Sequence, residues 1–464
     1  MRFDTLDDWL RWQESLSPAE IDLGLARVSR VLSRAGLEPR FDCPLITVAG
    51  TNGKGSVVAM LEALALSSGL KVASYTSPHL FSYNERIRID AQPVSDAQLC
   101  EAFERIDQAR GDDRLTYFEF GTLAAIVLFF QQQPDLVILE VGLGGRLDAV
   151  NVMDADISVL TSVAIDHTDW LGDDREAIGY EKAGVFRAGK TVVCGDARPP
   201  QSVIAHARKL HCRLLQAGSD YDVSRQEDGR WMLQSPYRNL DDLPPPALAG
   251  DFQYRNTASA VLALQALAAE ERLPEITHEA IRQGIGRAVL PGRFQRISGQ
   301  PVVYVDVAHN LQAAQALAQT LADTRIEKTA EGEGRTLALV AMLADKDIAG
   351  VLSALASQVD QWCFAGLPQV SRGLAIEELV GQIPEEILPA INRPREHDFS
   401  RNPCKMPEDR ASSAMFCRTV TTACEHLSGL VARNTRIIVF GSFYTVAEAM
   451  QAFSSTESNN GVRN

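Results

Sequence analysis

Seven consecutive residues, Gly50-Thr51-Asn52-Gly53-Lys54-Gly55-Ser56, combine three glycines, a cation and a hydroxyl in an order that suits a polyphosphate. Glycine lets the backbone turn tightly and aim successive N–H groups at one anion, and a helix starting there adds the positive end of its dipole. In such a loop Asn52, Gly53 and Gly55 would line a nucleotide, Lys54 would reach the β- and γ-phosphates and Ser56 would approach magnesium. The common pattern has Ser or Thr directly after Gly-Lys, and here Gly55 intervenes, so the loop is a variant. A glycine-rich turn with an exposed lysine is the bland alternative. The flanks argue against it, because 46–49 reads as a strand and 57–67, rich in Ala and Leu, as a helix.

Other reactive side chains also fall at the ends of apolar runs. Leu136-Val137-Ile138-Leu139 delivers Glu140, and magnesium held on a triphosphate needs one or two such oxygen ligands. A glutamate can equally begin a loop, but the following Val141-Gly142-Leu143-Gly144-Gly145-Arg146-Leu147-Asp148 is flexible enough for close ligand approach. The run 157–165 delivers Asp166-His167-Thr168-Asp169, where a lone histidine is more often structural than a ligand. On composition alone Tyr180-Glu181-Lys182-Ala183-Gly184 reads as an exposed helical turn, and Ser77-Pro78-His79 as a turn after a strand at 72–75. Val302-Val303-Tyr304-Val305 ends in Asp306, which could cap the next helix or bind a ribose hydroxyl; Asn310 is also placed as an N-cap.

The elements that must position these groups are short, β-branched apolar runs at 45–49, 136–139, 157–165, 191–194, 302–305, 337–341 and 436–440, alternating with helical patterns. Strands apolar on both faces indicate a parallel sheet covered on both sides, so the class is α/β, with ligands expected at the carboxyl ends of the strands. A new series of strand–helix units begins at Pro301, which puts a domain boundary near 297 and divides the chain into 1–296 and 297–464. The acidic, proline-rich stretch 241–246 reads as a surface loop, and the polar stretch 392–413, with three prolines, as a loop of uncertain role.

The 464 residues carry 45 Lys and Arg against 60 Asp and Glu, a formal charge of −15, so no general field favours nucleic acid or an anionic membrane. The N-terminus lacks a signal-peptide pattern and no apolar run reaches the ~20 residues of a membrane helix. Eight cysteines show neither CxxC pairs nor zinc spacing and read as reduced thiols of a cytoplasmic protein.

Together AGTNGKGS, TSPHL, LTYFEFGTLA, LEVGLGGRLDAVN, IDHTDWLG, EKAGVFR, LPGRFQ, DVAHN and GSFYTVAEA resemble the Mur ligase superfamily, in particular its folylpolyglutamate synthase/dihydrofolate synthase branch. The segments run in order over nearly the whole chain. The resemblance implies an N-terminal ATPase domain, a smaller C-terminal Rossmann-like domain and an active site between them. It implies that Ser77, Glu140 and His167 bind magnesium and that Lys182 is carried as a carbamate beside a second magnesium. Asn256, Arg293 and Asp306 match ATP contacts. Asp22, Leu23, Gly24 and Leu25, with Thr116, Tyr117, Phe118 and Glu119 and with Leu147, Asp148 and Ala149, match pteroate-binding segments.

The implied reaction is ATP-dependent ligation of L-glutamate to dihydropteroate and to reduced folates through an acyl phosphate, by a monomer without nucleic-acid or membrane partners. Folylpolyglutamate synthesis alone is the alternative. A peptidoglycan ligase is disfavoured because 49 residues before Gly50 leave no room for a UDP-binding domain, and a nucleotide-dependent switch would leave EKAG and DVAHN unexplained.

Overall fold

Strands that are apolar on both faces can bury both only beneath helices, and the chain folds accordingly. The computed structural model describes residues 1–17, 21–299, 301–324, 334–388, 404–405, 414–430 and 435–460. Two compact units result, Met1–Leu248 with Phe252–Leu290, and Ala249–Asp251 with Pro291–Asn464.

In the first unit the described residues form an eight-stranded sheet in the order 92–93, 87–89, 72–75, 136–140, 45–49, 157–160, 191–194, 213–216. Leu45–Ala49 lies between Leu136–Glu140 and Ile157–Leu160, all three parallel, with Val48 opposite Glu140 and Ala49 opposite Leu160. This register ends the three strands together, so Gly50, Glu140 and the segment after Leu160 emerge along one edge of the sheet. The expected strand at 157–165 stops at Leu160, and the residues beyond it bond to the phosphate loop instead.

Helix Lys54–Ser67 is buried continuously from Ser56 to Ala65, and its apolar residues share a core with Phe252–Ala269 and His278–Ile285. A helix apolar all round must be an interior helix, which fixes the phosphate loop at its start rigidly. The opposite face of the sheet is covered by Tyr117–Gln132 and by an aromatic cluster in which Trp9 packs on Phe3, Trp12, Phe103 and Phe120. That cluster anchors helix Leu6–Leu16.

Two expectations need correcting. The stretch at 241–246 is not wholly a surface loop, because Leu240–Leu243 is a strand of a three-stranded antiparallel sheet with Asp222–Arg225 and Trp231–Gln234. Leu240 and Leu243 are buried with Trp231 while Asp241 and Asp242 face outward, so two inward leucines outweigh the acidic composition. The cysteines are not all free thiols either: antiparallel pairing sets Cys404 opposite Cys417, and the two form a disulfide.

In the second unit a seven-stranded sheet runs 295–299, 302–306, 435–440, 335–340, 361–365, 414–417, 404–405. Its inner strands are parallel and both edges antiparallel. The stretch 392–413 lies, except for Cys404–Lys405, outside the described residues. No helix among the described residues is long and apolar enough to cross a membrane.

Candidate active site

Two glycines set the path of the phosphate loop. Gly53 has φ 88° and precedes the first turn of the helix, and a Cβ there would stand 2.9 Å from Asn256 Oδ1. Gly50 has φ 147°, and a Cβ on it would collide with Thr161 Oγ1. The loop is braced from the segment after Leu160. Thr51 N–H donates to Ser162 O at 2.8 Å, Asn52 N–H to Ser162 Oγ at 3.2 Å, and Thr161 Oγ1 to Asn52 O at 2.6 Å. Thr161 and Ser162 therefore belong to the site, although their sequence stretch reads only as strand.

The cations converge. Lys54 Nζ donates to Gly50 O at 3.0 Å and to Thr51 O at 3.2 Å, while Lys182 Nζ donates to the same Gly50 O at 3.0 Å. Lys182 does not lie on an exposed turn as its composition suggests: it is 5% exposed. Helix Arg175–Ala183 is amphipathic, and it turns Ile178, Gly179, Lys182 and Ala183 inward. Burial is the main cause that brings the Lys182 amine down to about 7; neighbouring Lys54 lowers it further, opposed by Asp166 and Asp148. The glycine-rich loop presses on this lysine, and a Cβ on Gly145 would lie 2.8 Å from Lys182 O.

Glu140 is buried at the end of its strand and accepts from Ser77 N–H at 3.3 Å, so the structure brings these two expected magnesium ligands together. Gly55, in the first helical turn, lies beside Glu140, since a Cβ there would be 4.0 Å from Glu140 Oε1. Ser56 Oγ accepts from Gln253 Nε2 at 3.2 Å, and Gln253 Oε1 accepts from Asn256 Nδ2 at 2.9 Å. Gln253 thus joins the site; its position one helical turn before Asn256 was the available signal. His167 adopts a left-handed φ of 53° at the start of Thr168–Leu171, with its N–H donating to Asp166 Oδ1. Such a conformation in a residue with a side chain is sparsely populated and clusters at functional sites. Among the described residues no three His, Cys, Asp or Glu side chains form a metal cage.

The expected pteroate segments also lie in the first unit. Thr116 and Glu119 form a capping box at the start of Tyr117–Gln132, with Thr116 N–H donating to Glu119 Oε2 at 2.8 Å. Phe118 packs against Gly142 and lies 5.9 Å from the Tyr75 ring, while Tyr117 meets Tyr83 edge-on at 5.4 Å. Asp148 is spent locally, accepting from Leu143 N–H at 2.8 Å and Val150 N–H at 3.0 Å, and burial raises its carboxyl to about 6. It shapes the loop that holds Leu147 and Ala149. Leu25 precedes helix Ala26–Arg34, behind Asp22, Leu23 and Gly24.

Arg293 and Asp306 belong to the second unit. Arg293 lies over the Phe443 ring at 5.3 Å. Asp306 Oδ2 accepts from Phe294 N–H and Oδ1 from Ala308 N–H, both at 2.8 Å, and burial raises its carboxyl. The helix Leu311–Asp323 is capped by Asn310, whose Oδ1 accepts from Ala313 N–H at 3.0 Å, so Asp306 is not the cap.

A phosphate loop at the end of a central parallel strand, a buried carboxylate beside it and a buried lysine behind it define an ATP-dependent ligase of the Mur type. Residues 48–264 match the Mur ligase middle domain and residues 292–443 the Mur ligase glutamate ligase domain. The chain is 45% identical over 377 residues to the dihydrofolate synthase/folylpolyglutamate synthase of Escherichia coli (strain K12), covering 81% of this chain and 85% of that one. It is 37% identical to the enzyme of the same name from Haemophilus influenzae, over 96% of both chains. Among solved structures, E. coli FolC in complex with DHPP and ADP superposes with a TM-score of 0.85 at 39% identity, covering 98% of this chain and 99% of that one. A bifunctional folylpolyglutamate synthase/dihydrofolate synthase with Mn, AMPPNP and L-glutamate bound gives 0.82 at 41% identity, over 97% and 98%. The chain belongs to the dihydrofolate synthase/folylpolyglutamate synthase family of Mur ligases.

Proposed function

We propose that this protein joins L-glutamate to dihydropteroate and adds further glutamates to reduced folates, each time at the expense of ATP. The observation that carries this reading is the convergence of Lys54 and Lys182 on one carbonyl oxygen, each at 3.0 Å. Lys182 is buried and Lys54 partly buried, so two amines are gathered on one side of the phosphate loop, where an arriving polyphosphate would gain from their positive charge.

A carboxylate is too poor an electrophile to form an amide at neutral pH. Transfer of the γ-phosphoryl group of ATP to a carboxylate oxygen gives an acyl phosphate and ADP. The glutamate amine then adds to the acyl carbon, and phosphate leaves with its C–O bond electrons as the amine loses a proton. Lys54 and the N–H groups of the phosphate loop would hold the phosphates in line and offset the charge spread over the moving phosphoryl group. Asn52, Gly53, Gly55, Ser56 and Asn256 complete the nucleotide cradle, with Arg293 and Asp306 assigned to ATP by their motifs.

The oxygen donors of Glu140 and Ser77, which the structure brings together, fit a hard divalent cation, and His167 joins them by its motif. Glu140, Ser77 and His167 would hold magnesium, with phosphate and water filling the remaining positions. Bound there, the ion would neutralise phosphate charge and orient the transferring oxygen. Carbamylation of Lys182 would turn a cation into a carboxylate suited to a second magnesium.

Measuring ADP release tests the reading: release should require glutamate together with either dihydropteroate or tetrahydrofolate. ATP turnover of equal rate without those substrates would sink it. Turnover with tetrahydrofolate but none with dihydropteroate would leave only the polyglutamate activity.

A further inference from the structure

The segment from Asp22 to Leu25 and the helix start at Thr116 are far apart in sequence, yet one side chain ties them together. Arg27 Nε donates to both oxygens of Glu119, at 2.9 and 2.8 Å. Its Nη1 donates to Asp22 Oδ2 at 2.6 Å, and its Nη2 to the Asp22 carbonyl. The guanidinium thus spans an exposed carboxylate and a buried one: Asp22 is 52% exposed at its side chain and Glu119 is 5%. Glu119 in turn accepts from Thr116 N–H. Its two oxygens are occupied by Arg27 and the helix cap, so Glu119 serves to hold the two segments together.

We propose that Arg27 is a positioning residue for the pteroate substrate, clamping the Asp22–Leu25 segment onto the start of helix Tyr117–Gln132. The proposal rests on the reading of these segments as the pteroate site. Only a planar fork with several donors can bridge both carboxylates at once, so lysine, with one point charge, cannot replace it. The clamp acts before substrate arrives: it fixes the entry segment and so lowers the ordering cost of binding. The phosphate loop hangs on a different helix, and Arg27 touches none of it.

The test is steady-state ADP release by the full chain with dihydropteroate, ATP or glutamate varied in turn. Arg27→Lys should raise KM for dihydropteroate about tenfold or more, as a displaced binding segment does, while kcat and KM for ATP stay within about twofold. Because removing the cation outright leaves Glu119 buried and unpaired, the second variant is the neutral pair Arg27→Met with Glu119→Gln. Its KM for dihydropteroate should rise no further than that of Arg27→Met alone, since both changes break the same clamp. An unchanged KM for dihydropteroate in Arg27→Lys overturns the clamp, and so does an equal rise in KM for ATP, which would mark general loosening. Wild-type enzyme with no dihydropteroate-dependent turnover would remove the substrate reading itself, and the clamp with it.

Discussion

Lys182→Met is expected to be more stable than the wild-type chain in CO2-free buffer and to have lost about 10- to 100-fold in kcat, the scale on which metal-supporting residues act. The first half follows from burial. Moving this amine from 10.5 to about 7 corresponds to at most about 5 kcal/mol of disfavoured charge. The sign is definite: the folded chain binds fewer protons than the unfolded chain between about pH 7 and 10.5, so the cost is complete below pH 7 and declines as pH rises through that window. Methionine fills much of the same space without a charge to bury.

The second half concerns CO2. A neutral amine adds to CO2, forms an N–C bond and releases a proton, giving the carbamate anion; an ammonium group cannot react. An amine at about 7 is half neutral at that pH, whereas an ordinary lysine is almost wholly protonated. Activity at limiting CO2 should therefore fall as pH drops below about 7, and added bicarbonate should move that acid limb downward. Small carboxylates should partly restore Lys182→Ala, whose smaller side chain leaves room for them. An undiminished Lys182→Ala enzyme would end the carbamate proposal.

The phosphate loop was legible in the sequence because its signal is local: glycines, a lysine and a strand and helix on either side. The parallel sheets were legible because doubly buried strands are apolar without interruption. What could not be read was whatever depends on which face turns inward. Lys182 sits in a charged pentapeptide, and only the packing of its helix buries it. Leu240–Leu243 looks like loop because its two outward residues are aspartates, while the leucines that define the strand are only two. Arg27 reads as one of several surface arginines; its partner Glu119 lies 92 residues away, and no spacing rule connects them. The same holds for Thr161 and Ser162, which brace the loop from across the sheet.

Lys54→Met should act on two levels at once, and the second separates it from a simple binding defect. Lys54 is the loop's own cation, within 3.2 Å of the carbonyls of Gly50 and Thr51, where a bound polyphosphate would replace neutral acceptors by charged ones. Its loss removes a charge-assisted contact that strengthens as charge moves onto the leaving phosphate, so turnover should fall by about 100- to 1,000-fold and ATP affinity with it. Unchanged ATP binding and turnover would take Lys54 out of the site. The same cation also helps hold Lys182 neutral, after burial the largest influence lowering that amine. Deleting it should therefore raise the Lys182 pKa, leaving less neutral amine at pH 7. Carbamate formation, followed by the carbonyl resonance of 13C-labelled CO2 on the protein, should then need a higher pH in Lys54→Met than in the wild type. A carbamate signal with the same pH midpoint in both would separate the two lysines, leaving Lys54 a phosphate ligand with no hand in preparing its neighbour.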